Sequence, residues 1–179
     1  MQSQVLEPQP HRERAGQEDA FSVLVYAHQS MVFSIAYAFL RDRSAAEEVA
    51  QDVFLELHRS VGSLESPRHI VNWLRKVTAH RSIDRQRRMR PLWALEEVRE
   101  PAAPAPSGDP MLKETLRALV ASLPDKPRLV MILKYQEDME ASEIAEVLEM
   151  PLGTVKSHLQ RSLKLLRDKL ARKYGEISL

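Results

Sequence analysis

In LGTVKSHLQRSLKLLRDKL, from Leu152 to Leu170, the residues Lys156, Ser157, Gln160 and Arg161 fall on one side of a helix. The chemistry open to such a set is recognition. An arginine or lysine can meet a guanine edge or a phosphate, and a glutamine can pair with adenine. Advancing about 100° per residue gathers Val155, Leu159, Leu163, Leu166 and Leu170 on the other side, as a stripe that needs a core to rest on. The preceding EASEIAEVLEMPLG reads as a short helix with Ile144, Ala145 and Leu148 inward, followed by a tight turn. Together they make a helix-turn-helix, in which small Ala145 lets the helices cross closely. Gly153 and Thr154 let the second helix begin hard against its target. Thr154, Lys156, Ser157, His158, Gln160, Arg161 and Lys164 are the candidate DNA contacts, the last of these suited to phosphate.

A second cationic block lies upstream. Between Arg68 and Arg90 stand eight arginines and lysines against the single carboxylate of Asp84, and between Met150 and Tyr174 seven stand against Asp168. The net charge of +1 conceals this segregation. Two basic blocks on one chain imply two contacts with one polyanion.

Other chemistries find little support. His11, His28, His58, His69, His80 and His158 are scattered and no Glu-x-x-His pair occurs, so neither a metal nor another cofactor is expected, nor is enzymatic activity. The chain has no cysteine, which excludes disulfides and thiolate chemistry and is compatible with a reducing cytoplasm. The N-terminus lacks an apolar signal core, and no later apolar run is read as approaching the roughly 20 residues that span a bilayer. The expectation is a soluble, cytoplasmic protein without membrane insertion.

The elements that must position these residues read as helices throughout. Residues 1 to about 17 have the look of a disordered tail. Ala20 to Leu40 is a strongly apolar helix with a possible break near His28, and Ser44 with Glu47 offers a capping box for a helix running to about Val61. Ser66 and Pro67 start a third helix, from about His69 to Met89. Further helices fall near Met111–Ser122, Pro127–Gln136, Glu140–Leu148 and Leu152–Tyr174. No alternating strand pattern competes. Pro91, Pro101, Pro104, Pro106 and Pro110, with alanines and acidic residues between them, mark an extended linker. The expected architecture is therefore all-α: a tail over 1–17, a helical domain over 18–90, a flexible acidic Pro/Ala-rich linker over 91–110 that leaves the domains without a set separation, and a helix-turn-helix domain over 111–179.

RDRSAAEEVAQDVFLELHRSV followed by NWLRKVTAHRSIDRQRRMR resembles the sigma-70 family of bacterial RNA polymerase initiation factors. The two-domain layout resembles its extracytoplasmic-function (ECF) subgroup. The resemblance implies that Glu48, Gln51 and Asp52 dock on core RNA polymerase. It also implies that Leu64, His69, Asn72, Trp73, Lys76, His80, Arg81, Arg85, Arg87 and Arg88 serve the downstream promoter element and strand melting, and that Thr154 to Lys164 serve the upstream element. Trp73, at helical spacing with Ile70 and Val77, reads as core rather than as a stacking platform. Promoter DNA, core polymerase and an anti-sigma factor are the implied partners. Departures from the family pattern are His80 in place of a common asparagine, Glu140 in place of a serine-type cap, and Asp138 and Glu149 where glycine is frequent. The rival reading, a self-sufficient helix-turn-helix regulator, leaves the acidic Glu48–Asp52 face and the first basic block without a purpose.

Overall fold

The computed structural model describes residues 10–60, 66–89 and 109–174, and among them every regular element is a helix. These are α1 (Pro10–Leu40), α2 (Arg43–Ser60), α3 (Pro67–Met89), α4 (Asp109–Ala121), α5 (Asp125–Tyr135), α6 (Ala141–Val147) and α7 (Leu152–Tyr174). The expected linker, apart from its last two residues, lies outside the described residues, as do residues 1–9 and Leu64.

Helix α1 corrects three expectations. It starts at Pro10, so residues 10–17 are helical rather than a tail; proline suits a first helical turn, where its missing N–H costs nothing. It runs unbroken through His28, since neither proline nor glycine interrupts Gln17 to Leu40. Its segment Phe21–Leu40 is also long and apolar enough to span a bilayer by length and composition. In this fold the segment contributes the inner face of a helical bundle: Val32, Ile35, Ala36 and Phe39 are fully buried.

The start of α2 is a fourth correction. The side chain of Asp42, not Ser44, caps the helix by accepting the N–H of Ala45 at 2.8 Å, while Glu47 pairs with Arg43 at 2.9 Å. An aspartate two residues earlier does the same work as the serine would, and Arg41 in the left-handed region (φ 58°) turns the chain into it. At α3 the expectation holds. Ser66 accepts the N–H of His69 at 3.2 Å and Pro67 occupies the first turn.

Helices α1, α2 and α3 enclose Val49, Val53, Leu57, Leu74 and Ala79, and α4 to α7 enclose Leu129, Leu133, Met139, Ile144 and Val155. The two bundles are not independent. Their buried residues form one continuous cluster in which α1 packs on α5 and α3 on α6. Arg128, only 5% exposed, crosses the seam. It donates to the Leu123 carbonyl at 2.8 and 3.2 Å and to the Phe39 carbonyl at 3.0 Å, and lies 4.9 Å from the centre of the Phe39 ring. The expectation that the domains have no set separation is thereby corrected, because apolar area on α1 and α5 finds a partner across the chain regardless of the linker's composition.

The helix-turn-helix forms as expected, with two details of its own. Asp138 and Glu149, where the family favours glycine, both take φ of 51°, a region that disfavours any side chain. Replacing Asp138 with glycine is expected to raise unfolding free energy by about 1 kcal/mol, measurable by denaturant titration. Along α7 the inward seam is also rotated from the expected stripe. Ser162 is buried and Leu163 is 39% exposed, because Ser162 lies on the same bearing as Val155, two turns on, whereas Leu163 falls at the edge of the apolar arc.

Candidate nucleic-acid interface

Glu48, Gln51 and Asp52 all lie exposed on α2, with Glu48 and Asp52 one helical turn apart. Sequence reasoning missed what stands beside them. Helix α3 lies along α2 so that Glu48 pairs with Arg85 at 2.7 Å, and Glu56 accepts from Arg81 at 2.5 and 3.1 Å. The Glu56 hydrogen bond, then its charge, with Asp52 adding to it, holds the proton on Arg81 more firmly than usual. The available signal was two four-residue ladders of opposite sign, Glu48-Asp52-Glu56 and Arg81-Arg85, on helices expected to be neighbours. The acidic face and the cationic helix thus share an edge.

Within α3 the candidate residues separate by environment. Trp73 packs against the core, in line with its spacing with Ile70 and Val77, and Asn72 is half-buried. His69, His80, Arg87 and Arg88 are exposed. Three other cations of this helix are engaged by the second bundle: Arg68 by Glu143 at 3.4 Å, Arg75 by Glu137 at 3.5 Å and Lys76 by Glu149 at 2.7 Å. The bond from Lys76, and then its charge, draws the Glu149 carboxyl below the ordinary carboxylate range.

The recognition helix has a different character. Val155 is fully buried and fixes the helix axis, which leaves Lys156, Gln160, Arg161 and Lys164 exposed while Thr154, Ser157 and His158 are half-buried at its edge. Partial burial, followed by the nearby charges of Arg161 and Lys126, pushes His158 below the ordinary histidine range. A Cβ at Gly153 would meet nothing within 4 Å; the protein's own packing does not require glycine there. Ahead of α7, Glu140 and Glu143 form a reciprocal capping box at the start of α6, so a glutamate serves where the family commonly has serine.

Among the described residues no cluster of three or more His, Asp or Glu side chains is arranged to hold a metal. What the surface offers is two helices with exposed cations, an acidic face beside one of them, and a rigid helix-turn-helix carrying the other.

Comparison with known proteins agrees with this arrangement. Residues 24–91 match the family model for sigma-70 region 2, and residues 113–166 match that for sigma-70 region 4. Among curated proteins the chain is 28% identical over 172 residues to the ECF RNA polymerase sigma factor SigW of Bacillus subtilis, covering 88% of this chain and 92% of that one. It is 30% identical over 169 residues to the ECF RNA polymerase sigma factor SigK of a Mycobacterium species, covering 84% and 82%. Among solved structures, CnrH in complex with the cytosolic domain of CnrY superposes with a TM-score of 0.66 at 21% identity over 88% of this chain and 92% of that one, a likeness of fold. The region 2 match falls on α1 to α3, the part that a free-standing helix-turn-helix regulator would not explain. By these regions and relatives, the chain belongs to the sigma-70 family, as an ECF RNA polymerase sigma factor.

Proposed function

We propose that this sigma factor docks on core RNA polymerase through Glu48, Gln51 and Asp52, contacts the downstream promoter element with α3, and reads the upstream element with the first half of α7. The observation that carries the reading is the exposed face of α7 (Lys156, Gln160 and Arg161) in the same chain as a region 2 fold whose α2 presents carboxylates to solvent. The working division is 18–90 for the docking and melting domain, 91–110 for the linker and 111–179 for the upstream-element domain. In α3, Arg87 and Arg88 supply phosphate contacts that add affinity without choosing sequence. His69 and His80 are assigned to holding an unstacked base of the melted strand. The protein does no bond chemistry; it acts in the cytoplasm with the polymerase, in company with the nucleoid.

An anti-sigma factor is a further proposed partner. A groove of about 1030 Å³ opens between α1, α4, α5 and α7, lined by Tyr37, Leu116, Val120, Met131, Leu163 and Leu166 among others. The related CnrH fold was solved with the cytosolic domain of CnrY. Such a groove suits the apolar face of a helix.

The test is capture. Fragmented genomic DNA incubated with core polymerase plus this chain is expected to enrich fragments sharing two short elements at a fixed spacing. Enrichment no different from that by core enzyme alone would contradict the reading.

A further inference from the structure

Helix α1 carries a face that the fold leaves bare. From Ala20 to Leu40 the sequence has no Asp, Glu, Lys or Arg. Packing accounts for one side of this segment only, where Val32, Ile35, Ala36 and Phe39 are buried. At about 100° per residue, Val23, Tyr26, Ser30, Phe33 and Tyr37 gather within about 80° on the opposite side. Tyr26 is 81% exposed, Val23 67% and Tyr37 42%, and Phe33 stacks on Tyr37 with ring centres 5.8 Å apart. Apolar residues scattered singly over a surface need no explanation, whereas a contiguous uncharged stripe marks a contact surface. The spacing, alternately three and four residues, is that of a seam along which one helix packs on another.

The face is complementary to itself. If a second copy of α1 is laid antiparallel across it with a two-fold axis at Ser30, Tyr26 falls level with Ser34 of the second copy, Phe33 with Ala27 and Tyr37 with Val23. Each large residue then meets a small one, as close packing of two faces requires. A parallel pair would instead set Tyr26 on Tyr26 and Phe33 on Phe33. The charges that flank the stripe choose the same direction. Asp19, one turn before Val23, falls level with Arg41 of the second copy. Arg41 and Arg117 share the single carboxylate of Glu114, so this group of three has one positive charge left over. A parallel pair would put like charges together at both ends.

We propose that the outer face of α1 is a self-association surface, through which two copies of this chain pair antiparallel about Ser30. Tyr135, exposed at the end of α5, widens the face where Gln136 donates to the Ser34 hydroxyl at 2.8 Å. From Val23 to Tyr37 the stripe is about 22 Å long, short of the roughly 800 Å² per partner that a stable interface buries. The dimer is accordingly transient and governed by concentration. Ser34 and Tyr37 also line the groove between α1, α4, α5 and α7, so self-association belongs to chains whose groove is empty.

The test is sedimentation velocity of the full chain over a micromolar to millimolar series, beside Tyr26→Lys, which changes an exposed side chain and leaves the core alone. The wild type is expected to shift from monomer to dimer and the variant to stay monomeric. Register is read by disulfide formation, since the chain has no cysteine. Ser30→Cys should cross-link to itself about tenfold faster than Arg59→Cys, an exposed site on α2, because pairing raises its local concentration. Val23→Cys and Tyr37→Cys chains should cross-link when mixed and much less when each is alone. A monomer at every concentration, or a dimer that Tyr26→Lys leaves intact, would overturn the proposal. Self-cross-linking of Val23→Cys at the rate of Ser30→Cys would overturn the antiparallel arrangement. A wild type that stays monomeric yet floats with phosphatidylcholine vesicles, with flotation lost in Tyr26→Lys, would give the face to a bilayer instead.

Discussion

Changing Glu48 and Asp52 together to lysine is expected to abolish co-purification of the chain with core RNA polymerase. Both carboxylates are exposed on one face of α2, and no packing requirement holds them there. Reversing two charges replaces attraction to a basic partner by repulsion, and losses of about 3 kcal/mol or more, a hundredfold or more in affinity, follow when close interfacial charges are disrupted. The pairing of Glu48 with Arg85 demands a control, since a lysine at 48 would also face that guanidinium. Arg85→Gln removes the internal pair and leaves the docking face intact. It should co-purify as wild type while binding forked DNA more weakly in the holoenzyme. Unchanged circular dichroism separates lost docking from lost folding. Wild-type recovery of the double lysine variant would show that polymerase docks elsewhere.

On the recognition helix, replacing Arg161 and replacing Lys164 are expected to have different kinds of effect. Val155 sets the depth of the helix, and from that anchor Arg161 lies nearer the helix start than Lys164. A bidentate guanine contact is worth about 1 to 3 kcal/mol of discrimination, whereas a phosphate contact adds affinity to every sequence alike. Arg161→Ala should therefore reorder the promoters that the holoenzyme prefers, and Lys164→Ala should weaken them all and reduce the salt dependence of binding. Selection from a randomised upstream element, read by sequencing, measures both. The same ranking for the two variants would erase the division.

Much of this was legible in the residues because helices declare themselves by local rules. The start of α3 followed from Ser66 and Pro67, and the bounds of α7 from the turn before it and the run of apolar spacing within it. Where local rules offered near-equivalent choices the reading slipped. Asp42 and Ser44 are both competent caps, and Leu163 and Ser162 differ by one step around the wheel. Long-range placement was not legible. Nothing local in Arg128 says that it will cross to the Phe39 carbonyl, or in Glu149 that it will meet Lys76. A linker rich in proline and alanine argued for domains apart, but domain separation is decided by whether apolar faces such as those of α1 and α5 find each other. The candidate site had the same limit. The residue types and their faces came from the sequence, whereas the pairing of Glu48 with Arg85 and of Glu56 with Arg81 required α2 and α3 to be set side by side.

Promoter selection and opening are expected to belong to the assembly of this chain with polymerase, and not to the chain alone. The most direct measurement follows permanganate reactivity of thymines at a captured promoter alongside anisotropy of the same DNA, for the chain alone, core enzyme alone and the two together, at several salt concentrations. The chain alone is expected to bind promoter and random duplex almost equally, with steep salt dependence from phosphate contacts, and to leave the thymines unreactive. The two together should discriminate strongly and expose thymines at the downstream element. Tight, sequence-selective duplex binding by the chain alone, with no reactive thymines appearing when core polymerase is added, would contradict the account.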